Sequence, residues 1–175
     1  MNGPIEFKAP WSKGLRVISC VAIAALLVVH VAGWYAWSRT GASVALIAII
    51  SPPLILLIAA LCIIRGYVLT AEEIVVKRLG WVNRFALSEL RSVQGDNEAM
   101  SNSLKLLGNT GLLSYSGYFW NRKIGRYRAF ATDPSRGVVL TYANRKILLT
   151  PDDPQRFIVR VRTLLKNQAD ERANS

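Results

Sequence analysis

The sequence predicts an α+β protein: a hairpin of two long apolar helices, then a small antiparallel β-sandwich of about seven strands capped by one amphipathic helix. Three observations carry this. Two stretches near the amino terminus lack charged side chains, short β-rich pieces follow from Gly66, and a strong helix start near Thr150 leads into an apolar stripe. At 175 residues the chain holds about one domain. Disorder is excluded because only 19% of residues are charged and apolar residues are plentiful throughout.

Residues 1–16 read as a cytoplasmic amino-terminal segment. Val17 to Trp37 then carries no Lys, Arg, Asp or Glu over 21 residues, and Ala42 to Ile64 none over 23. At about 1.5 Å of rise per residue each makes a helix of roughly 30 Å, the hydrocarbon thickness of a bilayer, which argues against a purely soluble enzyme. Lys8, Lys13 and Arg16 precede the first stretch as in a secretory signal. A signal's apolar region, however, runs only about 7 to 15 residues, and this one continues through Trp34, Tyr35 and Trp37 into a second span. The connection Ser38 to Gly41 holds one cation, Arg39, whereas Lys8, Lys13, Arg16 and Arg65 flank the other ends. That asymmetry places both termini in the cytoplasm, with Trp34, Tyr35 and Trp37 at the outer interface and Trp11 at the inner.

Within the spans, Cys20 and Cys62 read as small apolar residues at matching depth, with no metal-ligand spacing around them. Pro52 and Pro53 each lack an N–H, which frees the carbonyls of Ala48 and Ile49 and predicts a kink. His30 falls at nearly the same depth. An intramembrane His suggests a proton relay by default, but no Asp, Glu, Lys or Arg accompanies it. The preferred reading is structural: neutral His30 donates to a freed carbonyl or to Ser51 and holds the hairpin together.

From Gly66 the grammar is that of strands. Tyr67 to Thr70, Ile74 to Leu79, Trp81 to Leu87 and Leu90 to Gln94 are separated by Glu72-Glu73, Gly80 and Ser88-Glu89. Tyr127 to Thr132, Val138 to Tyr142 and Lys146 to Leu149 follow, with turns at Asp133-Pro134 and Ala143-Asn144. Thr150 is expected to cap the last helix, with Pro151 in its first turn and Asp152 and Asp153 at the positive end of its dipole. Phe157, Val161, Leu164 and Leu165 form one apolar stripe, and residues 170–175 read as a frayed tail.

Gly95 to Gly125 departs from this pattern. Its Leu106, Leu107, Leu112, Leu113, Tyr115, Tyr118, Phe119 and Trp120 are too apolar for a disordered loop. Two readings stay open. Either the segment hides an irregular strand or an insert with its aromatics in the core, or Tyr118, Phe119 and Trp120 form a contact surface with Arg122, Lys123, Arg126 and Arg128. On the second reading apolar groups enter the headgroup boundary while the cations meet phosphates.

The two spans followed by Tyr67-Val-Leu-Thr70, Gly125-Arg-Tyr-Arg-Ala-Phe-Ala-Thr132, Val138-Val-Leu140 and Thr150-Pro-Asp-Asp-Pro154 resemble bacterial pleckstrin-homology-like membrane proteins over most of Arg65 to Leu165. The resemblance implies a seven-stranded barrel-like sandwich over residues 65–169, closed by the carboxy-terminal helix and held at the bacterial inner membrane. It brings no catalytic residues and no shared ligand.

Catalysis finds no support in the residues themselves. The single His and both Cys are intramembrane, no nucleophile elbow or phosphate loop appears, and no cofactor or metal is expected. Residues 65–175 keep 18 Lys+Arg against 10 Asp+Glu, a net of +8 beside the membrane. Anionic headgroups are the nearest partner for that charge, at about 1 kcal/mol per basic residue near the surface. No nucleic-acid-binding signature accompanies it. The expected function is therefore a non-enzymatic membrane-anchored binding or scaffolding module engaging a protein partner, a second copy or headgroups. The alternative is an accessory subunit of a larger transporter or envelope enzyme complex.

Overall fold

The computed structural model describes residues 3–173. Its elements run β1 (Ile5–Lys8), α1 (Lys13–Thr40), α2 (Ala45–Leu61), β2 (Ile64–Leu69), β3 (Glu73–Arg78), β4 (Val82–Ala86), β5 (Leu90–Gly95), β6 (Leu104–Thr110), β7 (Tyr115–Asn121), β8 (Gly125–Ala131), β9 (Val138–Tyr142), β10 (Lys146–Leu149) and α3 (Pro154–Ala173).

Helix α1 begins where Ser12 accepts from Leu15 N and stops at Gly41, whose left-handed conformation (φ 62°) lets its N–H reach Trp37 O. It is the one helix, among the described residues, long and apolar enough to cross a membrane. The second charge-free stretch is helical over only 17 residues. Its last carbonyls are taken by another part of the chain, Leu79 N to Ile63 O and Gly80 N to Leu61 O, so the backbone has turned into β2 by Ile64. The two helices pack antiparallel and close. A Cβ on Gly33 would lie 2.7 Å from that of Ala48, and His30 Nδ1 lies 2.8 Å from Ile49 O. Ile49 is the carbonyl that Pro53 leaves free, so the partner is that carbonyl and not Ser51.

The strands form two sheets, β1-β2-β3-β4 and β5-β9-β10-β8-β7-β6. Among the described residues there are ten strands, not seven. One lies before the helices: β1 pairs antiparallel with β2, Lys8 opposite Gly66, so the amino-terminal segment belongs to the domain. The other two, β6 and β7, occupy the Gly95–Gly125 segment as a hairpin. The sheets are also not wholly antiparallel, because the β9–β10 hairpin folds with β10 beside β8, making one parallel pair. Between the sheets lies the main core of Tyr67, Ile74, Phe85, Phe130, Leu140 and Ile147, closed by Phe157 and Val161 of α3. Phe7 of β1 meets Phe157 edge-on at 5.1 Å. A second cluster of Phe119, Tyr127, Ala129, Val139 and Leu148 covers the opposite face of the larger sheet beneath Ala99.

Helix α3 starts three residues later than expected. Asp153 accepts from Arg156 N at 2.9 Å and Pro154 takes the first turn. Thr150 is instead buried, its Oγ1 accepting from Thr132 N at 2.9 Å. The helix continues through Asp170 to Ala173, where a frayed tail was expected, and 174–175 lie outside the described residues.

Candidate binding site

Strand alternation divides the aromatic run of β7. Tyr118 and Trp120 are 38% and 39% exposed, whereas Phe119, between them, is 2% exposed and stacks on Tyr127 at 5.8 Å. Phe119 therefore belongs to the second core cluster and not to a contact surface. Antiparallel register places Arg128 opposite Tyr118 and Arg126 opposite Trp120. Both guanidiniums lean to the Tyr118 ring, at 5.5 Å for Arg126 and 5.6 Å for Arg128.

The parallel pairing of β10 with β8 adds residues that the sequence reading missed. It sets Ile147 opposite Arg128, and so carries Arg145 of the β9–β10 turn and Lys146 at the start of β10 to the same place. The result is a cavity of about 330 Å³ bounded by Phe85, Tyr118, Arg126, Arg128, Arg145 and Lys146, with no acidic residue in its lining. Glu89 reaches Arg145 at 3.4 Å, but both groups are exposed and such a pair is weak. Lys146 Nζ donates to Ile124 O at 2.6 Å. Among the described residues neither Arg126 nor Arg128 has an ion-pair partner. Guanidiniums held over aromatic faces keep their planar N–H edges for a carboxylate or phosphate, to which they bind in bidentate fashion.

The remaining expected contacts lie elsewhere. Lys123 pairs with Asp96 at 2.8 Å, which raises its already high pKa. Arg122 lines a separate hollow with Leu104, Trp120 and Glu98. The contact surface thus splits: Tyr118, Arg126 and Arg128 come together, and Trp120, Arg122 and Lys123 do not join them. Only the pairing of β8 with β10, invisible to local pattern, reveals Arg145 and Lys146 as neighbours of Arg128. Among the described residues no group of three or more His, Cys, Asp or Glu is placed to hold a metal ion.

Position matters as much as composition. Thr132, at the end of β8, accepts from Ser12 N at the start of α1, and the turn before β7 meets Ser19 of the same helix. Arg126 lies at the other end of β8, about 20 Å along the strand. The cavity is therefore at the end of the larger sheet remote from the helices.

Comparison with curated proteins gives no match, nor does comparison with solved structures. The family model for the bacterial PH domain matches residues 65–165, from the start of β2 into α3, more than half of the chain. With the two packed sheets and closing helix described above, the chain belongs to the bacterial PH domain family.

Proposed function

We propose that the protein is a non-enzymatic, membrane-anchored binding or scaffolding module. Helices α1 and α2 cross the bilayer, both termini face the cytoplasm, and the domain presents its basic cavity to an anionic group. Support for the anchor is the surface of the helix pair, on which Val17, Val28, Val31, Trp34, Ile47, Ile50, Leu57 and Ile58 are exposed. The observation that carries the binding role is the convergence of Arg126, Arg128, Arg145 and Lys146 on one cavity without an acidic lining residue.

The cavity's distance from the helices favours an acidic group on a cytoplasmic protein over the headgroups of the leaflet in which the chain is anchored. The accessory-subunit alternative is the weaker reading. Gly33 and Ala48, whose smallness would admit a partner helix, are spent inside the hairpin, which leaves Ala24 and Ala25 as exposed small residues among mostly bulky neighbours.

Crosslinking in intact membranes tests the proposal. The full chain should capture a cytoplasmic protein, and Arg126→Glu with Arg128→Glu should lose it while leaving membrane insertion intact. Capture unchanged by charge reversal would refute the role assigned to the cavity. If binding to vesicles of anionic lipid is lost instead, the headgroup version replaces the protein version.

A further inference from the structure

Two turns of the domain close over the helix ends in a way that water would make unnecessary. The last carbonyls of a helix have no partner within it. Here Leu61 O, the last of α2, accepts from Gly80 N, and Ile63 O, just beyond the helix, from Leu79 N, each at 3.1 Å, both donors in the β3–β4 turn. Cys62 O accepts from Ser114 Oγ at 3.5 Å. On α1, buried Ser19 donates to Gly111 O at 2.9 Å and accepts from Leu113 N at 3.0 Å, both in the β6–β7 turn. The β6–β7 turn thus meets both helices and the β3–β4 turn the end of α2, and together they satisfy backbone groups within the protein, as a medium without water requires.

Length gives an independent measure of where this clasp lies. From Ser19 to Thr40, α1 rises about 32 Å, which matches a hydrocarbon core of about 30 Å. Helix α2, at 17 residues, reaches only about 25 Å and falls short. The missing apolar depth is present next to its end. Leu79 and Trp81 of the β3–β4 turn and Val82 at the start of β4 are 53%, 45% and 46% exposed, and a Cβ on Gly80 would lie 3.2 Å from the Leu61 side chain. Trp81 is the residue type that settles at a membrane interface. The guanidinium of Arg78 lies 5.2 Å from its ring, on the side of the domain.

We infer that the β3–β4 and β6–β7 turns form a lip immersed in the cytoplasmic leaflet, with Leu79, Trp81 and Val82 against acyl chains near the glycerol level. Its partner is the lipid itself. A protein cover would have to leave uncovered the apolar girdle that the lip continues from α2. The inference rests on the reading that the helices span the bilayer, and the experiment separates the two.

The full chain is reconstituted in phosphatidylcholine vesicles whose acyl chains are brominated either near the glycerol or at mid-chain. One variant keeps Trp81 alone, through Trp11→Phe, Trp34→Phe, Trp37→Phe and Trp120→Phe. A second keeps Trp34 alone in the same manner and reports insertion of α1. Expected is a blue-shifted Trp81 emission that is lost more to shallow than to mid-chain bromine. Trp34 quenched with Trp81 unquenched would overturn the lip and leave the span standing. Neither quenched would overturn both. As a guard against misfolding of the multiple variants, Trp81→Phe alone, in the otherwise native chain, should remove part of the shallow quenching. No change there would also overturn the lip.

Discussion

Two buried tyrosines show how one hydroxyl can hold a fold together and another add nothing. Tyr67 donates to Phe130 O at 2.8 Å, accepts from Thr150 N at 3.2 Å and lies 3.3 Å from Thr150 Oγ1. It thereby joins β2 to β8 and to the residue after β10 at the centre of the core. Tyr142 is also buried, though less deeply, and its hydroxyl has no partner among the described residues. Removing a hydroxyl that satisfies buried groups strands its partners, whereas removing an unsatisfied one relieves a desolvation cost. Tyr67→Phe should therefore cost about 1 to 3 kcal/mol in chemical unfolding, and Tyr142→Phe should be neutral or stabilising by up to about 1 kcal/mol. Burial pushes the Tyr67 pKa up from 10.0 to about 12. The folded state thus holds the phenolic proton more tightly than the unfolded chain does. Its contribution is complete below pH 10 and is lost as the pH rises through 12, a fall of about 2 to 3 kcal/mol that Tyr67→Phe should remove from the pH profile. Tyr142, also raised to about 12 chiefly by burial, supplies a parallel slope that remains in that variant. Equal costs for the two substitutions would contradict the assignment.

At the scale of elements, legibility followed how local the determining physics was. The His30 contact was readable because a proline names the carbonyl it frees, and depth along two antiparallel helices then names the residue opposite. The β6–β7 hairpin was not. Gly108 faces Gly117 so closely that a Cβ on Gly108 would lie 2.3 Å from Ser116 O, with φ of 125° and 146° at the two glycines. Close approach of two backbones removes the side chains whose alternation marks a strand. At the start of α3 the sequence pointed to Thr150-Pro151, whereas the structure uses Asp153-Pro154. Packing chose the second because the Thr150 hydroxyl is used by Thr132 N and Tyr67. The hairpin reading carries its own test. His30→Leu should weaken helix–helix association by about 0.6 kcal/mol, and by no more than about 1.7 kcal/mol, in reversible unfolding from bicelles. Adding Pro53→Ala restores an N–H able to reach Ile49 O, so the cost of His30→Leu should shrink in that background. Full additivity of the two substitutions would show that the His30 contact does not depend on the freed carbonyl.

The whole molecule is a β-hairpin interrupted by a pair of apolar helices. Lys8 stands opposite Gly66 in adjacent strands, yet α1 and α2 lie between them in sequence, so both ends of the helix pair are built into one sheet. This connection was hidden from sequence for a physical reason. Ile5-Glu-Phe-Lys8 is too short to show a period, and its partner lies beyond both helices, outside any local window. The family match likewise begins at residue 65, after the first strand has been left behind. A fragment beginning at Arg65 therefore lacks an edge strand, the Phe7 side chain packed on Phe157, and the paired bonds between Lys8 and Asp152. Loss of a buried Phe alone costs about 3 to 5 kcal/mol. Because the register already places Lys8 against Gly66, residues 9–65 can be replaced by a two-residue Asn-Gly turn, which favours a tight hairpin. The resulting chain uncovers the surface that Leu15 and Ser19 shield and gives up buried Ile64, which the Arg65–Ser175 fragment lacks as well, but it keeps β1 in the sheet and Phe7 packed on Phe157. It should be soluble without detergent and more stable to denaturant than the Arg65–Ser175 fragment by at least about 3 kcal/mol. Equal midpoints for the two would mean that β1 is an ornament of the sheet, and that the helix pair is attached to the domain at one end only.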